Sequence, residues 1–335
     1  MGIRSIVAAL LCAGVFVGVF LGRAQAGELA ERAAIESEVQ AHMRDEAFAT
    51  LESMSDFYRS TGARTSSGLW KLTLFYVGLD KAVDGRRRAD GDWDALAESV
   101  DRWIAAYPQS PAARLARVQL LMNYARSYRS GAFRRLLSWW YDSYHDAYIE
   151  QARAYLEETK AIAGQDPRWY ELMIKIAYIQ DWPEDRLDAL VAEGQQKAPG
   201  FYQIYFAALD YYAPKWGGSA AKIEAFARRV VDWTRAQEGM GLYARLYWYA
   251  SQTQYGDALF TDSDVSWPDM KQGMDDVLRA YGDDWNLANF AKFACLQGDR
   301  QKTRDLIARV SDSAARQAWY DPADFERCRD FANNG

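Results

Sequence analysis

The first residues to consider for chemistry are acidic side chains that lie close together in a chain rich in tryptophan and tyrosine. Enzymes that cleave glycosidic bonds need two carboxyl groups flanking the scissile bond, and some of them are built on all-helical scaffolds. The candidates for such a pair are Glu157, Glu158, Asp181, Asp210, Asp283 and Asp284. Each also has a simpler interpretation, because acids are favoured at helix starts and 46 acidic residues are bound to cluster in places.

Residues for metal binding or nucleophilic catalysis are scarce. His42 and His145 are the only histidines, whereas metal sites usually combine several His, Cys or carboxylate ligands. Asp142, His145 and Asp146 have no diagnostic spacing. The chain contains no His-Glu-x-x-His zinc motif, no phosphate-binding glycine loop and no nucleophile elbow. The sequence therefore predicts no catalytic residues, no metal site and no cofactor.

Aromatic and basic side chains are interleaved between residues 124 and 148. Tyrosine, tryptophan and arginine dominate binding interfaces because they give large contact areas at low entropic cost. If this segment is a contact surface, its candidate binding residues are Arg134, Trp139, Trp140 and Tyr141. The competing interpretation is a long helical hairpin whose rings fill its own core and whose arginines pair with acids.

A second candidate contact lies at a glycine turn between two helical patterns, where Lys215 and Trp216 precede Gly217 and Gly218. The glycines permit a tight reversal with positive φ, over which Trp216 would pack. Alternatively, the backbone N–H groups ahead of the next helix could bind an anion beside Lys215.

Residues 1–26 differ from the rest of the chain and predict a signal peptide. Arg4 supplies a positive start, no charge occurs from Ile6 to Gly22, and Ala24-Gln25-Ala26 has the small-x-small pattern of a cleavage site. We expect cleavage after Ala26 and export to the periplasm or the medium, with no membrane insertion of the processed chain. An uncleaved membrane anchor is the alternative.

The charge of the chain bears on its partners. Residues 1–26 contain Arg4 and Arg23 but no acid, so their removal changes the net charge from −6 to −8. Affinity for phosphate backbones comes from clustered Lys and Arg. Nucleic acid is therefore not an expected partner.

Cys295 and Cys328 would remain after processing. Export favours oxidation, and one bridge would close a loop of roughly 30 residues, worth about 3 kcal/mol in the chain-entropy model. Two buried, unpaired thiols are the alternative.

Helix start signals recur along the chain. Ser110-Pro111, Asp166-Pro167, Pro183-Glu184, Ser219 and Asp283 each combine a capping residue, proline or first-turn acid with a following apolar face. The interval from Pro167 to Pro199 is 32 residues and that from Gly239 to Asp283 is 44. Units of this length holding two helices are typical of helical-repeat arrays. The predicted fold is all-α, with stacked tetratricopeptide-like hairpins (an α-solenoid) forming a single domain over residues 27–335.

The segment Pro214-Lys215-Trp216-Gly217-Gly218-Ser219 resembles a motif of a bacterial family of exported proteins described only as a domain of unknown function. Residues 64–76, the stretch Tyr107–Pro111 and the pattern from Cys295 through Gly298-Asp299 to Cys328 are similar to further parts of that family. The resemblance implies export and a tetratricopeptide-like helical-repeat fold, and it implies no catalytic residues.

These observations favour a non-enzymatic, exported helical-repeat protein that binds an unknown protein or peptide partner in the envelope. The repeat period, the aromatic excess and the lack of catalytic motifs support this hypothesis. The alternative is an enzyme that cleaves cell-wall glycan or polysaccharide. A third possibility is an immunity-type protein whose acidic surface covers a cationic partner.

Overall fold

The computed structural model describes residues 27–87, 92–129, 138–311, 318–319 and 321–333, and for residues 129 and 138–141 it describes the backbone alone. The predicted signal peptide, residues 1–26, and Arg134 lie outside the described residues. Trp139, Trp140 and Tyr141 lie in the first turn of a helix, and their side chains are outside the description.

The described chain is built from helices, which confirms the predicted all-α class. They are α1 (Glu28–Arg44), α2 (Phe48–Thr61), α3 (Lys71–Ala82), α4 (Trp93–Ala106), α5 (Pro111–Arg129), α6 (Ser138–Glu158), α7 (Lys160–Ala163), α8 (Arg168–Ile179), α9 (Glu184–Lys197), α10 (Gln203–Tyr212), α11 (Ala220–Glu238), α12 (Gly241–Ala250), α13 (Leu259–Asp262), α14 (Trp267–Ala280), α15 (Asp284–Gln297), α16 (Arg300–Ile307) and α17 (Pro322–Asn333). No strand occurs within the described ranges, where one antiparallel bridge joins Arg64 to Trp70.

The helices begin where the capping signals predict. The Ser110 hydroxyl accepts from the N–H of Ala113 at 3.0 Å at the start of α5. Ser219 accepts from Lys222 at α11 and Asp283 accepts from Asn286 at α15, both through the side-chain oxygen. Such caps satisfy N–H groups that have no partner within the helix.

The start of α8 differs by one residue from the prediction, because the helix begins at Arg168 and Pro167 precedes it. Asp166 is fully buried at this point. Its carboxylate accepts from the Tyr76 hydroxyl at 2.7 Å and from Arg59 Nη1 at 3.0 Å. Asp166 therefore joins α2, α3 and α8, a tertiary role that the helix-start pattern does not predict.

Helices from the middle of the chain to its end pack against their neighbours in sequence and also against the helix after the next. Thus α8 contacts α9 and α10, α10 contacts α11 and α12, and α12 contacts α14. The buried side chains between them form a continuous apolar core that includes Phe75, Trp103, Tyr205, Tyr247 and Phe290. No single helix pair could cover its own apolar face, so each pair depends on the next.

A disulfide connects α15 to α17, the last helix. It joins Cys295 on α15 to Cys328 on α17, with a Cα–Cα distance of 5.6 Å. This confirms the predicted pairing of these cysteines. None of the helices within the described ranges has the length and apolar character to span a membrane.

Candidate binding pocket around Arg245

A short loop, residues 62–70, connects α2 to α3 and reaches the C-terminal helices. Gly68 has a φ of 92°, which favours glycine. A Cβ atom at this position would lie 2.6 Å from the ring of Tyr281 and 2.8 Å from Arg245 Nη2. Glycine is therefore required for the close approach between this loop and α12.

A cavity of about 240 Å³ opens beside this loop. We call it the Arg245 pocket. Its aromatic wall comes from α10, α12 and α15, and consists of Tyr202, Phe206, Trp248, Tyr249 and Trp285. Its polar lining consists of Arg32, Ser67, Gln203, Arg245, Gln252 and Asn286. The charged residues in this lining are both arginines, so the pocket has a positive character within an acidic protein.

Arg245 is the unusual member of the lining because it is only 7% exposed and forms no ion pair with any carboxylate in the described ranges. Its Nη2 donates to the carbonyl oxygen of Ser67 at 2.7 Å, and its buried Nε has no hydrogen-bond acceptor. Burial lowers the pKa of Arg245 from the ordinary arginine value. The charge of Glu238, whose carboxylate accepts from the Tyr202 hydroxyl, acts on Arg245 without a direct ion pair. A buried charge that lacks a direct ion pair is costly, so the pocket holds a donor that is incompletely paired.

The rings of Tyr202 and Tyr281 partly compensate this charge. The guanidinium carbon of Arg245 lies 5.3 Å from the centroid of Tyr202 and 5.7 Å from that of Tyr281. Arg64 lies 4.8 Å from the same Tyr202 ring and donates to the carbonyls of Gly68 and Gly200. Cation–π contacts stabilise a desolvated guanidinium by about 2 kcal/mol or more. They do not replace a direct ion pair.

Asn286 adds an unused acceptor next to this donor. Its Nδ2 donates to the carbonyl oxygens of Ser67 at 3.1 Å and Tyr281 at 2.8 Å. Its Oδ1 is buried and has no hydrogen-bond partner. Buried polar groups are rarely left unpaired in proteins, so the pocket is a candidate site for a polar ligand.

The position of the 62–70 loop depends on Glu28, the first residue of α1. Its carboxylate accepts from Arg32 Nε at 2.5 Å, from the Ser67 N–H at 2.9 Å and from the hydroxyls of Thr65 and Ser66, both at 2.9 Å. Burial alone would raise the pKa of Glu28. The charge of Arg32 and the hydrogen bonds from Ser67 outweigh it and hold the pKa below the ordinary value.

A turn of π-helix, Ser251–Tyr255, follows α12 and brings Gln252 to the pocket. Gln252 is exposed, and Gln203 on α10 is half-buried. Single π-turns are frequent at functional sites, where they redirect one side chain. The two glutamine amides are therefore available to a ligand near the solvent side of the cavity.

Lys215 and Trp216, the predicted contacts at the glycine turn, lie beside the far end of α10. Trp216 is 44% exposed, and its ring centroid is 5.2 Å from that of Tyr178 and 5.6 Å from Lys215 Nζ. The charge of Lys215 acts on Asp210, whose carboxylate accepts from the hydroxyl of Tyr249 at 2.7 Å. Tyr249, in the wall of the Arg245 pocket, and Lys215 therefore both act on the carboxylate of Asp210.

The glycines of that turn have a structural role. Gly217 has a φ of 85°, and a Cβ at Gly218 would lie 1.8 Å from the carbonyl oxygen of Tyr212. Trp216 is partly exposed and lies beside Tyr178.

In the segment 124–148, the described rings pack between α5 and α6. The centroids of Tyr124 and Tyr148 are 4.5 Å apart, and those of Tyr128 and Tyr144 are 5.2 Å apart. This arrangement agrees with the hairpin interpretation for these tyrosines. It does not bear on Arg134, Trp139, Trp140 or Tyr141 as contacts, whose side chains lie outside the description.

The acids proposed for glycan cleavage are dispersed over the structure. Asp283 caps α15, Glu157 pairs with Arg153, and Asp284 accepts from the hydroxyl of Ser311. Burial raises the pKa of Asp210, but its carboxylate is engaged by Tyr249. In the ranges that the structure describes, no group of three or more His, Cys, Asp or Glu residues is arranged to bind a metal.

Sequence reasoning did not identify Arg245. A signal was present, because Arg245 is the one charged residue between Met240 and Gly256 in an otherwise apolar or neutral helical segment. The loop and asparagine contacts join residues 178 and 219 positions apart. Pairings across such distances cannot be read from local patterns.

Comparison with protein-family models, with curated proteins and with solved structures found no match for this chain. Its function is therefore argued from the geometry of the Arg245 pocket and from the sequence.

Proposed function

We propose that this protein is an exported, non-enzymatic binding module of stacked, tetratricopeptide-like helical hairpins, and that the Arg245 pocket receives part of a protein or peptide partner. The observation that carries the proposal is Arg245 itself. It is a buried arginine without a carboxylate partner in a pocket walled by five aromatic residues. Desolvated arginine and aromatic side chains are the usual energetic centres of binding sites.

The order of helix contacts supports the repeat architecture. Consecutive pairs such as α8–α9 and α10–α11 pack side by side, and α8, α10 and α12 contact one another in series. The pocket is lined by residues of α10, α12 and α15, one helix from each of three successive units. Helical-repeat proteins bind partners across several repeats in this way.

Export is proposed from the pattern of residues 1–26 and is compatible with the disulfide between Cys295 and Cys328. Disulfides persist in oxidising compartments such as the periplasm and the extracellular medium. On this proposal the partner belongs to the cell envelope or to the surroundings of the cell.

The partner's contact surface would extend from the Arg245 pocket along α10 to Lys215 and Trp216. Trp216 is among the few large apolar side chains in the described ranges that are exposed. Tyr249, in the pocket wall, donates to Asp210 on α10, and the charge of Lys215 acts on Asp210. The hairpin residues Arg134, Trp139, Trp140 and Tyr141 remain a predicted second contact.

The test is capture of binding partners from envelope extract and spent medium by the tagged, exported chain. Arg245→Met should remove the partner, while Arg235→Met, on an arginine that is 58% exposed and paired with Asp232, should retain it. A partner that binds both variants equally would contradict a role for the pocket. Release of reducing sugar from cell-wall material by the wild type would instead favour the glycan-cleaving alternative.

A further inference from the structure

We infer that the ligand group of the Arg245 pocket is the free carboxyl terminus of a peptide, with an apolar or aromatic last residue. This inference rests on the proposed function and specifies the chemistry of its partner. The charge, the unused hydrogen-bonding atoms and the size of the pocket each contribute to it.

The charge of the pocket selects a single negative group. Arg32 is paired with Glu28 at 2.5 Å, so it contributes little net charge. Arg245 donates to the Ser67 carbonyl and has no direct ion pair, and no acid is among the described residues that line the cavity. Glu238, whose carboxylate accepts from the Tyr202 hydroxyl, and Arg64 act on Arg245 with opposite charges. One carboxylate would therefore neutralise the site. A polyanion would be disfavoured, since the chain as a whole carries a net charge of −6.

The unused atoms match the end of a peptide. Arg245 is a donor with spare capacity, and Asn286 Oδ1 is an acceptor without a partner. The last residue of a peptide carries carboxylate oxygens that accept hydrogen bonds and, on the same residue, an N–H group that donates one. A carboxylate accepting from the guanidinium would gain a charge-assisted hydrogen bond. Asn286 Oδ1 is fully buried beside this donor, so the N–H of the same residue would reach it only after a shift of the Asn286 side chain.

The size and walls of the pocket favour one apolar residue. Its volume of about 240 Å³ is below the ~300–1,000 Å³ that is usual for sites of drug-sized ligands. Phe206 and Tyr249 present stacked rings, and the centroids of Trp248 and Trp285 are 6.3 Å apart. A last side chain inserted among these rings would bury apolar area. The preceding peptide groups would leave past Gln203 and exposed Gln252.

An acidic sugar fits these features less well. It would bring several hydroxyl groups besides its carboxylate, and each buried hydroxyl needs a hydrogen-bond partner. Among the lining residues, the Ser67 hydroxyl already donates to Glu28 and accepts from Arg32, which leaves the amides of Gln203 and Gln252 near the solvent side for sugar hydroxyls. Five aromatic residues make up most of the remaining wall.

The test is a titration of the purified full chain, in which binding is measured by calorimetry and by the fluorescence of the pocket tryptophans. The probes are the peptide acetyl-Ala-Ala-Phe with a free carboxyl terminus, the same peptide with an amidated terminus, and glucuronate. We expect the free acid to bind and the amide to bind roughly tenfold to hundredfold more weakly, as is usual when a charged hydrogen bond is lost. Equal binding of acid and amide, or no binding of the acid, would overturn the inference.

Two variants locate the binding and guard against misfolding. Arg245→Met should abolish binding of the free acid, and Gln203→Trp should block it by filling the pocket while Arg245 is kept. Arg235→Met should leave it unchanged. Binding of glucuronate with no binding of the peptide acid would assign the carboxylate to a sugar and overturn the peptide source. If the peptide acid does not bind but partner capture still depends on Arg245, the inference about the ligand fails and the proposed binding function stands. If capture does not depend on Arg245, the proposed function fails.

Discussion

Arg245 and Ser67 are joined by a hydrogen bond of 2.7 Å from the guanidinium Nη2 to the main-chain carbonyl, across 178 positions of sequence. The contact brings the loop between α2 and α3 against α12 and closes one side of the Arg245 pocket. Because the acceptor is a neutral carbonyl, the contact positions the arginine without cancelling its charge.

Replacing Arg245 by methionine should cost little stability. The buried charge has no direct ion pair, and substitution of such a group by an apolar side chain of similar volume is often neutral or stabilising. Arg168→Met is the matched control, since Arg168 is equally buried but pairs with Asp80 and Glu171, both at 2.6 Å. Removing it would leave partly buried Asp80 without its ion pair and Glu171 with Lys175 alone, and should destabilise the fold by about 3–5 kcal/mol.

Urea unfolding of the two arginine variants checks this contrast. Arg245→Met should unfold within about 1 kcal/mol of the wild type or later. A loss as large as that of Arg168→Met would show that Arg245 is a structural residue, and its unpaired state would then need another explanation.

Gly68→Ala should distort the pocket. The added methyl group would meet the Tyr281 ring at 2.6 Å and Arg245 Nη2 at 2.8 Å. We expect destabilisation of about 2–4 kcal/mol, from overpacking and from an unfavourable positive φ, together with loss of binding in the capture assay.

The control for the glycine variant is Gly298→Ala. Gly298 has a φ of 83°, but a Cβ there would meet nothing within 4 Å. Gly298→Ala should lower the free energy of unfolding only by the conformational strain of about 1–2 kcal/mol, and it should leave binding intact. Similar behaviour of the two variants would mean that the loop tolerates displacement.

Glu28→Gln should weaken the anchor of the 62–70 loop and reduce the acid sensitivity of the protein. The pKa of Glu28 is lower in the folded state than its ordinary value of 4.5. Its stabilising contribution is therefore fully present above pH 4.5 and is lost as the pH falls through the lower, folded-state pKa. At neutral pH the variant should lose about 1.5–3 kcal/mol, the usual range for hydrogen bonds to a charged group.

Chemical unfolding of this variant at pH 7 and at pH 4 tests the assignment. The wild type should lose more stability between these two conditions than Glu28→Gln. Glu98→Gln, whose side chain is 73% exposed, should behave like the wild type to within about 0.5 kcal/mol. An unchanged pH dependence in Glu28→Gln would exclude Glu28 as the group responsible.

The double variant Cys295→Ser and Cys328→Ser should fold but lose about 3 kcal/mol of stability according to the chain-entropy model. The disulfide lies on α15 and α17, and neither cysteine lines the Arg245 pocket. Partner capture at low temperature should therefore persist, and thermal unfolding should shift to lower temperature. Loss of binding in a folded double variant would connect the disulfide to the site.

Local signals predicted the helices well and the site poorly. The caps at Ser110, Ser219 and Asp283 act within three residues, so sequence alone identifies them. The pattern predicts Pro167 as the first helical residue of α8, whereas the helix begins at Arg168. Asp166 accepts from the Arg168 N–H, which is local, and also from the Tyr76 hydroxyl, which no local pattern predicts.

The pocket depends on contacts that no local pattern contains. Glycine is required at position 68 because a Cβ atom there would collide with Tyr281 and Arg245. Both of these residues are distant from Gly68 in sequence. The local patterns instead select clustered aromatic and basic residues, among them Lys215 and Trp216, which are not among the residues that line the pocket.

The central claim is that a partner occupies the Arg245 pocket in the cell, and site-specific photo-crosslinking tests it most directly. A photoreactive phenylalanine analogue is introduced at Gln252, exposed at the pocket, or at Gln301, exposed on α16. The account predicts a discrete cross-linked partner at Gln252 that disappears with Arg245→Met and is absent at Gln301. Cross-linking that is equal at both positions, or that survives Arg245→Met unchanged, would contradict it.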